Sequence, residues 1–380
     1  MLKNLSKATR LEKFILNHVY VGLVIIKYNC GKSWFKKMKT KLDTFTPLES
    51  PTIYGGDIVD KILIPRRNGR VKTPSFLTGF TPAYKLLPSG GLSDKVREAE
   101  EILKKCTLCP RKCEVDRTSG ELGFCRTGDK PFISSWGPHF GEEKPLVGRF
   151  GSGTIFFGNC NLGCLFCQNY SISHLGEGVE ISFEKLADIM LSLQREGCHN
   201  INFVTPTHQM PMMLRAIQIA SEKGLNVPIV YNCGGYESLH AIKLLEGVVD
   251  IYMPDFKYID PEMALKYSSA EDYPDAAKTA LREMYRQVRD LTIDKEIALR
   301  GLLVRHLVLP EGIAGTEGVV KFIAEEISKN TYINIMDQYH PCFKAFDHPP
   351  LNRRLTDREF SEAVKLAVEA GLKRIDGITV

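Results

Sequence analysis

Thr154-Ile155-Phe156-Phe157-Gly158-Asn159-Cys160-Asn161-Leu162-Gly163-Cys164-Leu165-Phe166-Cys167-Gln168-Asn169 joins a short apolar run to a loop carrying three cysteines in the spacing C-x3-C-x2-C. Thiolates are soft ligands suited to iron–sulfur clusters, and four are needed to saturate a cubane. Three in one loop leave one iron without a protein ligand, and an open position lets a cofactor bind metal directly. Zinc loops are usually completed by a second Cys or His pair far along the chain, and no such pair follows.

Working outward, the apolar run opens a series in which short β-branched stretches alternate with longer amphipathic ones. The spacing predicts strands at Thr154–Phe157, Ile201–Val204, Pro228–Tyr231, Val249–Met253, Leu302–Val308 and Tyr332–Met336. Between them it predicts helices near Phe183–Glu196, Met210–Lys223, Tyr236–Leu245, Asp275–Leu291, Gly318–Lys329 and Asp357–Ala370. Ser182 and the pair Thr356/Glu359 read as helix starts, the latter as a capping box, and Gly197, Gly224, Gly247 and Gly371 as helix stops. Six β-then-α units imply a parallel sheet, either doubly wound or a curved partial barrel. Its chemistry then belongs at the C-terminal strand ends, where the cysteine loop sits.

The chain has 380 residues, 43% hydrophobic and 25% charged, the balance of a globular protein able to bury a core without disulfides. The net charge of +5 is uneven: residues 1–50 carry a local excess of +7 and the remainder sums to −2. A near-neutral body offers no electrostatic case for a nucleic-acid substrate. Residues 1–80 read as a basic extension and linker, with Thr44–Pro51 and Pro65–Pro74 rich in Pro, Thr and Arg. Phe14–Ile26 is the sole apolar run to weigh as a span, but it contains Asn17 and His18 and falls short of the about 20 apolar residues required. No membrane association is expected. The expected location is cytoplasmic, where clustered cysteines point to metal.

The loop C-x3-C-x-aromatic-C after the first strand of a βα series, with Phe166 before its last cysteine, resembles the radical S-adenosylmethionine (radical SAM) superfamily. Within it the chain resembles the pyruvate formate-lyase activating enzyme branch. Supporting segments are Cys109-Pro110-Arg111-Lys112-Cys113, Asp116-Arg117, Gly123-Phe124-Cys125, Val204-Thr205-Pro206-Thr207-His208, Arg305-His306-Leu307-Val308-Leu309-Pro310 and Met336-Asp337-Gln338-Tyr339. The resemblance spans about Leu92 to Ile378. It implies an α/β fold, a partial (βα)6 barrel with an N-terminal cysteine-rich extension: 1–80 extension, 81–150 cysteine-rich, 151–380 core.

The resemblance also implies a [4Fe–4S] cluster on Cys160, Cys164 and Cys167 whose open iron chelates SAM. One electron from a flavodoxin or ferredoxin then breaks the C5′–S bond, giving methionine and a 5′-deoxyadenosyl radical that abstracts hydrogen. Such activity is an oxidoreductase chemistry of the activating-enzyme type, with a glycyl radical enzyme as protein substrate. Modification of a small molecule or another peptide is the alternative, and a non-catalytic iron–sulfur electron carrier the third.

Phe166 and Asn169 fall beside the cofactor in this reading. Activating enzymes typically hold the SAM amino group with Gly-Gly-Glu after the second strand. This chain departs, and Thr205 and Thr207 stand there. Asn232 and Gly234 occupy the place of Thr-Asn-Gly after the third strand, with Cys233 between them read as a buried thiol. Asp255 and Lys257 match Asp-x-Lys, which implies that Lys257 meets the SAM carboxylate while Asp255 orders its loop; alternation puts both on one face. His340 matches a SAM-contacting histidine. His306, alone in an apolar strand, reads as a hydrogen-bonded core residue. Cys30, Cys198 and Cys342 are isolated and carry no assignment.

Upstream, Cys106, Cys109, Cys113 and Cys125 form C-x2-C-x3-C-x11-C. Four thiolates saturate a cubane or one tetrahedral zinc, and spacing leaves a second iron–sulfur cluster, structural zinc and no metal all open.

Overall fold

The computed structural model describes residues 79–376. The basic start, the Phe14–Ile26 run, Cys30 and the two Pro-rich stretches lie outside them. Among the described residues no helix is long and apolar enough to cross a membrane.

The chain enters the described region through helix α1 (Gly91–Ile102), continued by a 3-10 turn at Leu103–Lys105. Strand β1 (Phe132–His139) and the four-residue helix α2 (Lys144–Val147) precede the repeating part. Then follow β2 (Ser152–Phe157), α3 (Tyr170–Ser173), β3 (Val179–Glu180), α4 (Phe183–Glu196), β4 (Ile201–Val204) and α5 (Met210–Glu222). Next come β5 (Ile229–Cys233), α6 (Leu239–Leu244), β6 (Ile251–Pro254), α7 (Pro261–Ser268) and α8 (Tyr273–Val288). The chain closes with β7 (Thr292–Asp294), β8 (Ile297–Leu307), α9 (Thr316–Phe322), β9 (Tyr332–Met336), α10 (Asp357–Glu369) and β10 (Arg374–Ile375).

The sheet order is β10-β9-β8-β6-β5-β4-β2-β1-β3. The six expected strands, β2, β4, β5, β6, β8 and β9, lie side by side in chain order and pair in parallel. A sheet wound in one direction with right-handed crossovers puts its helices on one face and curls around the other. The ends stay unjoined, so the result is a partial (βα)6 barrel of mixed α/β class. Alternation sorts the residues. Ile229, Tyr231 and Tyr252 point outward into the main core with the helices. Val230, Ile251, Met253 and Leu303 point inward, where Leu146 of α2 packs against them.

The expected signals hold in detail. Ser182 caps α4, Thr356 and Glu359 form a reciprocal capping box at α10, and the four helix-stop glycines have positive φ. The sequence missed four strands. β1 pairs antiparallel with β2, β3 pairs with β1, β10 extends the far edge, and β7 forms a hairpin with β8 across Lys295 and Glu296, both at positive φ. The helix expected from Tyr236 starts at Leu239 instead, because the Ser238 hydroxyl accepts the Ala241 N–H and caps it there. Tyr236 and Glu237 are thereby left in the loop.

Candidate active site at the strand ends

Beyond β2 the chain turns at Asn159, whose φ is +67°, and the cysteine loop begins. The loop is pinned from four sides. Gly163 N–H donates to the Ser268 carbonyl (3.1 Å) and Leu165 N–H to that of Tyr267 (2.9 Å), both at the end of α7. Lys344 N–H donates to the Leu165 carbonyl (2.9 Å). His174 Nε2 donates to the Cys164 carbonyl (3.0 Å), and Asn161 Nδ2 to the Tyr236 carbonyl (2.7 Å). Cys160 Sγ accepts from Leu162 N–H (3.4 Å), Cys164 Sγ from the Ser268 hydroxyl (3.0 Å), and Cys167 Sγ lies 3.2 Å from the Ser173 hydroxyl.

Burial pushes the Cys160 and Cys164 thiols up; Cys164 and Cys167 raise Cys160 further, and Cys167 raises Cys164. The Lys257 ammonium pulls both back down. Three soft sulfurs within electrostatic reach of one another and of a buried cation suit an anionic metal–thiolate assembly, which draws off the thiol protons as it binds. The donor set suits the cluster that the sequence implies.

Asn232, Gly234, Asp255 and Lys257 come together as expected. Lys257 Nζ donates to Asp255 (2.6 Å), and Asp255 accepts from Arg305 Nε (2.8 Å). Burial opposes the Lys257 ammonium, but Asp255 and Cys164 more than offset it and keep the lysine charged. Burial likewise opposes the Asp255 carboxylate, and Arg305 and Lys257 hold it below the usual range. Asn232 Oδ1 accepts from Arg305 Nη2 (2.7 Å). The Tyr273 hydroxyl ties the two loops, accepting Lys257 N–H (2.8 Å) next to the Gly234 and Asp255 carbonyls. Gly235, at φ +78°, has to be glycine: a Cβ there would stand 2.3 Å from the Asp255 carbonyl oxygen.

The other expected residues are placed as follows. Phe166 is buried edge-on to Tyr258 and Tyr339. Asn169 is exposed at the start of α3, and His340 reaches the loop through Gln168, 3.3 Å from its Nδ1. Thr205 sits at φ +58° with its N–H on the Asn232 carbonyl (2.8 Å). Thr207 is fully buried and donates to Glu237 (2.6 Å). His306 is a core residue, bonded to the Phe256 carbonyl (2.7 Å) and the Thr316 hydroxyl (2.9 Å). Cys233 is a buried thiol.

Three features escaped the sequence. Arg305 organises the inner face, and the one signal for it was a charge inside an apolar strand. Glu142 and Glu143, beside α2, enter the barrel to within 3.7 and 3.8 Å of Arg305, and Glu143 also accepts from Asn334 (3.1 Å). Burial pushes Glu142 up to about 7 despite Arg305, with Glu143 and Asp255 adding to the rise. Glu237 is buried under β5, where it accepts Tyr231 and Thr207 hydroxyls and is pushed up to about 7 by burial. Nothing local marked any of these carboxylates.

Residues 154–307 match the family profile of the radical SAM superfamily. An uncharacterized protein of Methanocaldococcus jannaschii is 34% identical over 291 residues, covering 74% of this chain and 79% of that protein. The pyruvate formate-lyase-activating enzyme of Listeria monocytogenes serovar 1/2a is 23% identical over 177 residues, 44% of this chain and 66% of that enzyme. Among solved structures, a radical SAM methyltransferase from Sphaerobacter thermophilus aligns with a TM-score of 0.43 at 14% identity, over 59% of this chain and 65% of that one.

Proposed function

The chain belongs to the radical SAM superfamily, and on that premise we propose that it is an oxidoreductase of the activating-enzyme type. In this reading Cys160, Cys164 and Cys167 hold a [4Fe–4S] cluster, SAM binds beside it, and hydrogen is taken from a glycine of a glycyl radical enzyme. Cluster and SAM together supply reductive cleavage of the sulfonium and the radical that abstracts hydrogen, with flavodoxin or ferredoxin as electron source.

One observation carries the reading: the buried, charged Lys257 stands between the thiol triad and an Asp255 fixed by Arg305. A protonated amine beside the cluster site offers the SAM carboxylate a partner, and Asp255 keeps that amine from swinging away. Asn232, held by Arg305, and Gly234 form the adjoining wall. Phe166 braces the loop from below, while Thr205, Asn169 and His340 line its rim. Thr207 acts from the buried side by holding Glu237. The partial likeness to an activating enzyme supports the protein substrate.

The test is anaerobic reconstitution with iron and sulfide, then dithionite plus SAM, with 5′-deoxyadenosine quantified. Wild type is expected to produce it and Cys164→Ala to produce none. Equal yields from the two proteins refute the assignment.

A second reading, a small-molecule or other peptide substrate, is favoured by Asn202. Its amide is fully buried on the inner face beside Glu142, whose carboxyl it pulls down as a hydrogen-bond partner. A polar lumen of this kind suits a small hydrogen-bonding substrate. Deuterium from labelled candidates appearing in deoxyadenosine separates the two.

A further inference from the structure

The cysteine quartet lies outside the site just described and is built in its own way. After the 3-10 turn, Cys106 N–H donates to the Val115 carbonyl and Glu114 N–H returns to the Cys106 carbonyl, each at 3.0 Å. Between them the chain reverses through Cys109 and Cys113, with Lys112 and Glu114 at positive φ. The fourth segment comes close because residue 123 is glycine: a Cβ there would lie 2.8 Å from Cys113 Sγ. Phe124 N–H then points at that sulfur (3.4 Å). All four thiols are free and line one small cavity, together with Asn161 and His208.

Two arginines attend this cavity. Arg117 is 1% exposed, with Nη1 3.9 Å from Cys106 Sγ. Its remaining bonds go to the Gly128 and His208 carbonyls. Arg111 lies over the Phe124 ring (3.9 Å) and donates to the Asn161 and Ser269 carbonyls. None of these bonds ends on a carboxylate. Two buried atoms on cavity-lining residues, Arg111 Nη2 and His208 Nδ1, have no hydrogen-bond partner. Guanidinium groups without carboxylates and orphaned polar atoms mark a place for an anion. A metal bound by four thiolates carries about two negative charges, whether the metal is one zinc or a cubane.

Zinc draws four sulfurs to about 2.3 Å from one point, whereas a cubane takes them on four separate irons. The four thiols here line a cavity that they share with Asn161 and His208. We propose that Cys106, Cys109, Cys113 and Cys125 hold a second, fully ligated [4Fe–4S] cluster, charge-balanced by Arg111 and Arg117 and abutting the catalytic loop at Asn161. Asn161 follows Cys160 directly, accepts Arg111 Nε on its carbonyl (3.1 Å) and lines the quartet cavity, so the two sites share one residue as a wall.

The full chain, reconstituted anaerobically, is to be assayed for iron, zinc and acid-labile sulfide. The expected content is about eight irons and eight sulfides per chain. The triple variant Cys160→Ala/Cys164→Ala/Cys167→Ala leaves the quartet untouched and is expected to keep about four of each. In reduced wild type, SAM is expected to change the spin signal of one cluster and leave the second unshifted. About four irons in wild type, with or without one zinc, overturns the proposal, as does an iron-free triple variant with wild-type circular dichroism. Eight irons without deoxyadenosine refutes the proposed SAM cleavage and leaves this inference standing; four irons with deoxyadenosine does the reverse.

Discussion

The chain carries two cysteine clusters whose surroundings differ in kind. The triad hangs at the end of a parallel strand, opposite one lysine that is itself paired to an aspartate. The quartet is a knot of turns closed on itself, with two arginines that have no carboxylate bonds. In the first, the cation's charge is already met by Asp255, which holds the ammonium in place beside the sulfurs. In the second, the cations have no carboxylate partner and would be balanced by the metal–thiolate centre proposed above. Identical side chains therefore stand in two electrostatic settings, one suited to the proposed open site and the other to the proposed saturated one.

The largest effect is expected where the triad's charges interlock. Asp255→Ala leaves Lys257 and Arg305 facing each other across a mostly buried site, and is expected to cost about 3 kcal/mol, read by denaturant unfolding of the metal-free protein. A loss under about 1 kcal/mol, the value of a surface pair, means the cluster of charges is solvated and the contrast with the quartet is weaker than drawn.

Arg117→Met is expected to cost about 2 kcal/mol in the metal-free protein, because the Gly128 and His208 carbonyls lose their donors. The cost is expected to be larger after metal loading, measured as the difference in melting temperature between the two forms. An equal cost in both forms removes the charge-balancing role and leaves Arg117 a structural clamp.

The smallest effect sharpens the triad alone. Ser268→Ala removes the hydroxyl on Cys164 Sγ. Hydrogen bonds to cluster sulfurs favour the more negative, reduced state, so the midpoint potential of the SAM-sensitive cluster is expected to fall in a spectroscopic redox titration. The quartet's potential is expected to hold still. A shift in both means the two clusters titrate as one unit.

Much of the barrel was legible because its signals are local. A strand five residues long, a capping box three residues apart and a C-x3-C-x2-C loop all lie within one turn or one pleat, where spacing and side-chain type are enough. The motif positions Asn232, Asp255 and Lys257 were legible for the same reason: each stands just beyond a strand that periodicity had already marked. The edge strands were missed because β3 and β10 are two residues long and take their pattern from their neighbours. Glu142 and Glu143 were missed because their partner Arg305 lies more than 160 residues away in the chain.

By itself, then, the sequence determined the chemistry of the ligands, the number of βα units and the end of the sheet at which they work, since these follow from residue type and short-range period. Tertiary structure alone decided what each ligand faces. It set Lys257 against the triad, put the carboxylates just before α2 inside the barrel, and seated the quartet against Asn161. Such pairings are settled by the packing of distant segments in a low-dielectric interior, where a charge's energy depends on what surrounds it.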